Sequence, residues 1–546
     1  MVRPRALLLA PLLFLLLMVA GPVLRLAWEG MALPVGGVWP GADAPPPDAW
    51  GTDGDAPLTA WGVWQDAHLR FRLLWSLAQA GISTALTLLL GLPVAWVLAR
   101  FRFAGRLWVL RLLMLPFVVP TLVAALGVLA LWGPGGHWSQ PLGLALEDSP
   151  WLLIIGNLFF NLCLVVRAAA DALGQVSASR LAAARTLGAT PWRAFWRVEW
   201  PAIRLAVASA LCLVFLYCFA GMGLALVLGG QRWATAEVEI YTLVAHELRL
   251  ADASALALWT LALGAVVAGV HALLARRLAQ PRRADRVPLR PLAGWQAHLA
   301  VAAALLVLGV VSVAPLLATV VWALADLPAL WAVWSAPETL DALWNTTRFS
   351  GMALVAATAL GLCQGLAVFH WRGARRVAVL VQASTFVPFV VSPVAVAFGL
   401  LLLYPEWTAS LVLLVAAYTL LAYPFVGQHV ANALAGLPPQ WAQAARTLGA
   451  SPWRVFVRIT LPLVAPALRR GMAFAAATAL GEFAVSLFLS RPEWTTLTTL
   501  IYQHLGRPGA ANLHAAHALS LLLMLLALGV FLALDAGTRP EKDAHA

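Results

Sequence analysis

One carboxylate stands inside a long apolar run of this sequence: Glu482, in Gly481-Glu482-Phe483. An ionisable group at such a position marks a functional site by default. Its chemistry there is attraction of a cation, and the alternative is that it reaches the interface or a neighbouring helix end. Other polar side chains within or beside apolar runs are Asn157, Asn161 and Arg167, with Gln364 and Gln382 in the C-terminal half. Any of them could line a path for a polar solute. Taken singly, each is better explained as an interhelical hydrogen bond or a helix-end anchor.

Catalysis and metal binding find little support. Cys163, Cys212, Cys218 and Cys363 lie in apolar runs without CxxC spacing, which is the pattern of small buried hydrophobes. His514 and His517, at i and i+3 beside the last apolar run, come nearest to a ligand pair. No catalytic residue, metal site or cofactor is expected. A Walker-type ATPase needs a lysine on the phosphates within G-x-x-x-x-G-K-[ST]. The only lysine here is Lys542, so any ATP hydrolysis belongs to a partner chain.

The elements that position these groups follow from composition. Of 546 residues, 62% are hydrophobic and 11% charged, against about 25% charged in soluble domains. A water-soluble enzyme is excluded. About 20 apolar residues cross a bilayer as helix, and twelve such runs are expected: 6–27, 73–99, 107–132, 151–169, 203–228, 255–274, 299–324, 345–369, 377–403, 409–428, 464–489 and 515–534. The fold class is therefore an all-α polytopic membrane protein. The first run is expected to stay as an uncleaved helix rather than act as a signal peptide. With the N-terminus inside, 28 of the 36 basic residues fall on the cytosolic side and 17 of the 24 acidic residues outside. That positive-inside pattern places both termini in the cytosol. It also explains the net charge of +12 without a nucleic-acid partner.

An internal repeat organises the chain. Ala184-Arg185-Thr186-Leu187-Gly188-Ala189-Thr190-Pro191-Trp192-Arg193 matches Ala445-Arg446-Thr447-Leu448-Gly449-Ala450-Ser451-Pro452-Trp453-Arg454 at an offset of 261. Pro201 and Pro462 keep the same offset. Two halves are expected, 1–274 and 299–534, joined by a basic linker at 275–298 that includes Arg282, Arg283 and Arg286, and followed by a tail at 535–546. Six spans per half give parallel repeats. Each repeated loop, near 178–201 and 439–462, is predicted to be a helix-turn-helix at the cytosolic surface. Gly188 and Gly449 end the first helix, and Thr190-Pro191 and Ser451-Pro452 start the second. Retention of this turn in both halves favours docking to a partner over packing against the chain's own membrane domain.

The loops resemble the cytosolic signature of permease subunits of bacterial ABC importers, E-A-A, three residues, G, nine residues, I-x-L-P. Here it is Ala182-Ala183-Ala184 through Gly188 to Pro201, and Gln443-Ala444-Ala445 through Gly449 to Pro462, the Glu being replaced in both. Two signatures in one chain resemble the fused permeases of thiamine and ferric-iron importers. The thiamine type looks nearest through Val63-Trp64-Gln65-Asp66, Phe159-Phe160-Asn161 and Val198-Glu199-Trp200-Pro201. The resemblance implies a bacterial inner-membrane translocation subunit, surrounded by lipid, that is not itself an enzyme. Its implied partners are a cytosolic ABC ATPase dimer and a periplasmic or lipid-anchored solute-binding protein. The ATPase would be gripped through Ala182, Ala183, Ala184, Arg185, Gly188, Pro201, Gln443, Ala444, Ala445, Arg446, Gly449 and Pro462. Glu482 and Asn161 would then face the path of thiamine, its phosphates or ferric iron. A proton-coupled secondary transporter is the competing reading, since it too has two six-helix halves and a basic central loop. A membrane enzyme is a third class, for which convergent acid, base or metal ligands are missing.

Overall fold

The fold is given by a computed structural model that describes residues 4–31, 60–144, 146, 148–278, 287–371, 381, 384–389, 391–408, 410–489 and 491–535. Gln382, Arg282, Arg283, Arg286 and Lys542, singled out above, lie outside these residues.

In hydrocarbon every backbone N–H and C=O must be paired within the protein, and the apolar runs accordingly form helices. The first half contains α1 (Leu7–Met31), α2 (Ala67–Arg100), α3 (Thr121–Trp132), α4 (Trp151–Gly174), α5 (Ala178–Thr186), α6 (Trp200–Phe219), α7 (Met222–Leu228), α8 (Ala236–Ala245) and α9 (Leu250–Leu278). The second repeats that order as α10 (Trp295–Leu324), α11 (Pro337–Trp371), α12 (Pro393–Leu403), α13 (Leu411–Gly436), α14 (Pro439–Thr447), α15 (Leu461–Leu480), α16 (Ala484–Leu489), α17 (Leu497–Leu505) and α18 (Ala510–Asp535). The repetition extends to local defects. A π-helical turn interrupts the first helix of each half, at Leu16–Ala20 and Gly309–Val313, and another leads into α6 and α15, at Phe195–Glu199 and Phe456–Thr460.

Among the described residues, nine helices are long and apolar enough to span a membrane. One further apolar pair is sharply bent: Arg106–Val118 and Thr121–Trp132 meet at 104°. The break falls at Pro120, which adopts an extended ψ of 145° and has no N–H to continue a helical ladder. The run expected at 377–403 contributes α12, and 464–489 divides into α15 and α16. Segments expected as outer loops, 229–254 and 490–514, hold α8 and α17. Their Glu237 and Glu239, and Leu497 and Ile501, are buried.

The two halves exchange their first helices. Residues Leu15, Met18 and Val19 of α1 pack in a core with Phe349, Ala353 and Tyr418 of the second half. Val301, Ala304 and Leu308 of α10 pack with Val94, Leu98 and Val166 of the first. The linker is also held at the first half: β1 (Phe101–Arg102) pairs in parallel with β2 (Arg290–Pro291).

Candidate functional site

The repeated loops form two matching handles. In each, the first helix ends in a left-handed glycine, Gly188 and Gly449, both at φ +79°. A Schellman arrangement closes it: the Ala189 amide donates to the Ala184 carbonyl at 3.0 Å and the Gly188 amide to the Arg185 carbonyl at 2.9 Å, with Ala450–Ala445 and Gly449–Arg446 at 3.0 Å in the second copy. Such a turn needs a residue without Cβ strain at positive φ. The next helix is capped by Thr190, which accepts from the Arg193 amide at 3.3 Å, and by Ser451, which accepts from the Arg454 amide at 3.3 Å. Exposure repeats too. Ala182, Ala183, Arg185 and Gly188 are exposed, with Ala184 half-buried; Gln443, Ala444, Arg446, Gly449 and Ala445 follow the same pattern, and Pro201 and Pro462 are both exposed. At the tip, Leu187 and Leu448 are each 88% exposed.

Charge clamps the first handle. Arg100, at the end of α2 and fully buried, donates through Nε and Nη2 to Glu199 Oε1 at 2.9 and 2.7 Å, and Trp96 Nε1 donates to Glu199 Oε2 at 3.0 Å. Glu199 closes the π turn that follows the handle. The corresponding positions of the second half, at offsets of 270 and 261, are His370 and Thr460, which form no such pair among the described residues.

Between the halves lies a cavity of about 280 Å³. It is framed by three helix breaks: the bend before α3, the α6–α7 junction at Gly221 and the α15–α16 junction at Glu482. Glu482 and Asn161, from opposite halves, both line it. Glu482 Oε1 accepts from the Val485 amide at 3.0 Å, capping α16. Glu482 thus stands at once on the cavity wall and at a helix end. Asn161 Nδ2 donates to the Asn157 carbonyl at 2.9 Å and to Cys218 Sγ at 3.3 Å. Asn157 donates onward to Gln79 Oε1 at 2.9 Å, and Gln79 to the Cys218 carbonyl at 2.8 Å. Nearer the handles the cavity meets a layer of rings, with Phe474 at 6.1 Å from Phe117, 6.2 Å from Phe425 and 5.6 Å from His429.

The remaining polar candidates lie elsewhere. Arg167 pairs with Asp171 at 2.9 Å on the exposed face of α4. Gln364 donates to the Val381 carbonyl, Ser384 and Thr385, each at 2.9 Å, and joins helices. His517 stacks on Trp322. Sequence reading missed Gln79 and Ser83, which support Asn157; their signal is the spacing of Ser76, Gln79, Ser83 and Thr87 along one face of α2. It also missed the Arg72–Glu239 pair at 2.9 Å, which fixes α8 on α2.

Residues 89–280 and 353–539 each match the family of binding-protein-dependent transport system inner membrane components. The chain belongs to that family. This permease carries two copies of the family's domain in one polypeptide, and it is a multi-pass membrane protein of an ABC-type importer. It is similar to the thiamine transport system permease protein of Escherichia coli, with 28% identity over 83% of this chain and 87% of that protein. The thiamine transport system permease protein of Brucella abortus is 30% identical over 86% of this chain and 89% of its own length. The sulfate transport system permease protein of a Synechocystis species matches over 29% of this chain, at 33% identity.

Proposed function

We propose that this permease forms the solute pathway of an ATP-driven importer of thiamine or its phosphates and couples it to a separate cytosolic ATPase dimer. The observation that carries the coupling is the duplicated handle, with identical turn geometry and equally exposed Leu187 and Leu448. Two like handles suit two identical ATPase subunits. Closure of that dimer on ATP draws the handles together. Because α6 and α15 continue from the handles to the breaks at Gly221 and Glu482, the motion reaches the cavity. Alternating access then needs only that ATPase and binding protein stabilise different arrangements of the two halves. A periplasmic or lipid-anchored binding protein delivers the solute from the other face, and both termini lie in the cytosol.

In this reading Ala182, Ala183, Ala184, Arg185, Gly188 and Pro201 form one docking surface, and Gln443, Ala444, Ala445, Arg446, Gly449 and Pro462 the other. The halves divide at 1–274 and 299–534 across the linker 275–298. Glu482 and Asn161 belong to the pathway. The substrate rests on the thiamine transport permeases that match over most of the chain. The test is ATP hydrolysis by the complex in lipid: thiamine-loaded binding protein stimulates it, and bulky substitutions at Gly188 and Gly449 remove the stimulation. A complex that hydrolyses ATP equally with and without the loaded protein contradicts the proposal.

A further inference from the structure

We propose that the inter-half cavity is a binding site for one flat, singly charged organic cation, with Glu482 as its charge partner and Asn161 Oδ1 as a second acceptor. This rests on the importer reading and specifies the solute chemistry of its pathway.

Charge is the first ground. Glu482 is the only carboxylate among the described residues lining the cavity, and no Arg, Lys or His lines it. Its amide partner at Val485 brings no full positive charge. A carboxylate at membrane depth without a counter-ion is costly, and a cationic solute supplies the missing charge.

The second ground is an unpartnered acceptor. Asn161 is 2% exposed, and its Oδ1 has no hydrogen-bond partner. The orientation of the amide is fixed, because the Asn157 carbonyl that faces Nδ2 can only accept. The chain Asn161 to Asn157 to Gln79 to Cys218 uses up donors and leaves that oxygen buried and without a partner, in a residue that lines the cavity. A buried acceptor of this kind calls for a donor, here from the ligand.

Broken symmetry is the third. At the offset of 261, Glu482 corresponds to Gly221, and Asn161 to Ala422. The carboxylate comes only from the second half and the free amide oxygen only from the first. Such a site suits a solute with two unlike ends, a positive centre and a neutral donor. Phe117, Tyr217, Phe389 and Phe425 supply ring surface around it, favourable to a flat cation. A hard metal ion is a poor fit, since it asks for about six oxygen ligands and no group of three His, Cys, Asp or Glu converges among the described residues.

The test is equilibrium binding of thiamine, and of an uncharged analogue with the same ring skeleton, to the full chain in lipid nanodiscs. Glu482→Gln keeps an acceptor for the Val485 amide, so the cap survives. It is expected to weaken thiamine binding on the order of tenfold while leaving the analogue's binding in place, so the preference for the cation collapses. A purely structural role would lower both ligands together. Asn161→Asp, which adds a second negative charge, is expected to raise the cation preference, and it decides the matter where Glu482→Gln yields no folded chain. An unchanged preference in the folded variants, or no thiamine binding to the natural chain at millimolar concentration, overturns the proposal. Stimulated ATP hydrolysis separates the two readings: if it persists while binding fails, only the cation site falls, and if it is absent the importer reading falls.

Discussion

Gly127 of α3 faces the Pro315 carbonyl of α10, and a Cβ on it would sit 2.3 Å from that oxygen. The relationship is repeated in the other half: Gly399 of α12 faces Pro22 of α1, where a Cβ would lie 2.8 Å from the proline's own Cβ. The glycines are 272 residues apart and the prolines 293. These two contacts are where each half closes on the first helix of the other.

Gly127→Ala and Gly399→Ala are therefore expected to destabilise the chain by about 1–3 kcal/mol each, the usual cost of overpacking against rigid neighbours. Gly81→Ala, where a Cβ meets nothing within 4 Å, is expected to be neutral or stabilising by about 0.5–1 kcal/mol. Thermal unfolding of the solubilised chain checks the order: both crossing variants below the natural protein, Gly81→Ala at or above it.

Breaking the Arg100–Glu199 pair leaves a buried charge uncompensated. Arg100→Met should cost about 3–5 kcal/mol, and Arg100→Met with Glu199→Met should recover much of it. The corresponding change in the second half, Thr460→Val, should stay within about 0.5 kcal/mol. A double-mutant cycle read by unfolding measures the coupling. Additive losses at Arg100 and Glu199 would show that the pair does not hold the first handle.

Leu187→Ser and Leu448→Ser remove apolar surface that is open in the free chain. Covering a leucine contributes about 1.5–3 kcal/mol, so each change should weaken ATPase association roughly tenfold or more. The chain's own unfolding temperature should not move, because neither side chain is packed. Affinity measured on the nanodisc-embedded permease gives the first number and calorimetry the second.

Gly188 and Gly449 have open space at the Cβ position, so only backbone strain opposes a side chain there. Left-handed geometry costs an ordinary residue about 1–2 kcal/mol, and Asn tolerates it better than β-branched residues. Gly188→Asn should retain most binding-protein-stimulated hydrolysis and Gly188→Val should lose it.

The handles were legible in the sequence because their grammar is local: a C-terminal glycine, a Ser or Thr cap and Pro at the first helical position, written twice. Glu482 and Asn161 were legible as polar groups at membrane depth. That they share one cavity was not, since three helix breaks bring them there and hydropathy reads the first of these, at Pro120, as a straight span. Nothing local in the sequence marks Arg100 as fully buried, because its partner Glu199 lies 99 positions away. The helices α8 and α17 read as outer loops in the sequence because their Glu and Thr content lowers hydropathy. Their burial depends on partners such as Arg72, which lies 167 residues from Glu239.

Uptake of radiolabelled thiamine into proteoliposomes that hold the assembled complex tests the central claim most directly. The account predicts accumulation only with ATP on the ATPase side and loaded binding protein on the other, with loss of uptake when Leu187 and Leu448 are both replaced by Ser. Uptake driven by a proton gradient without ATP, or undiminished in that double variant, would contradict it.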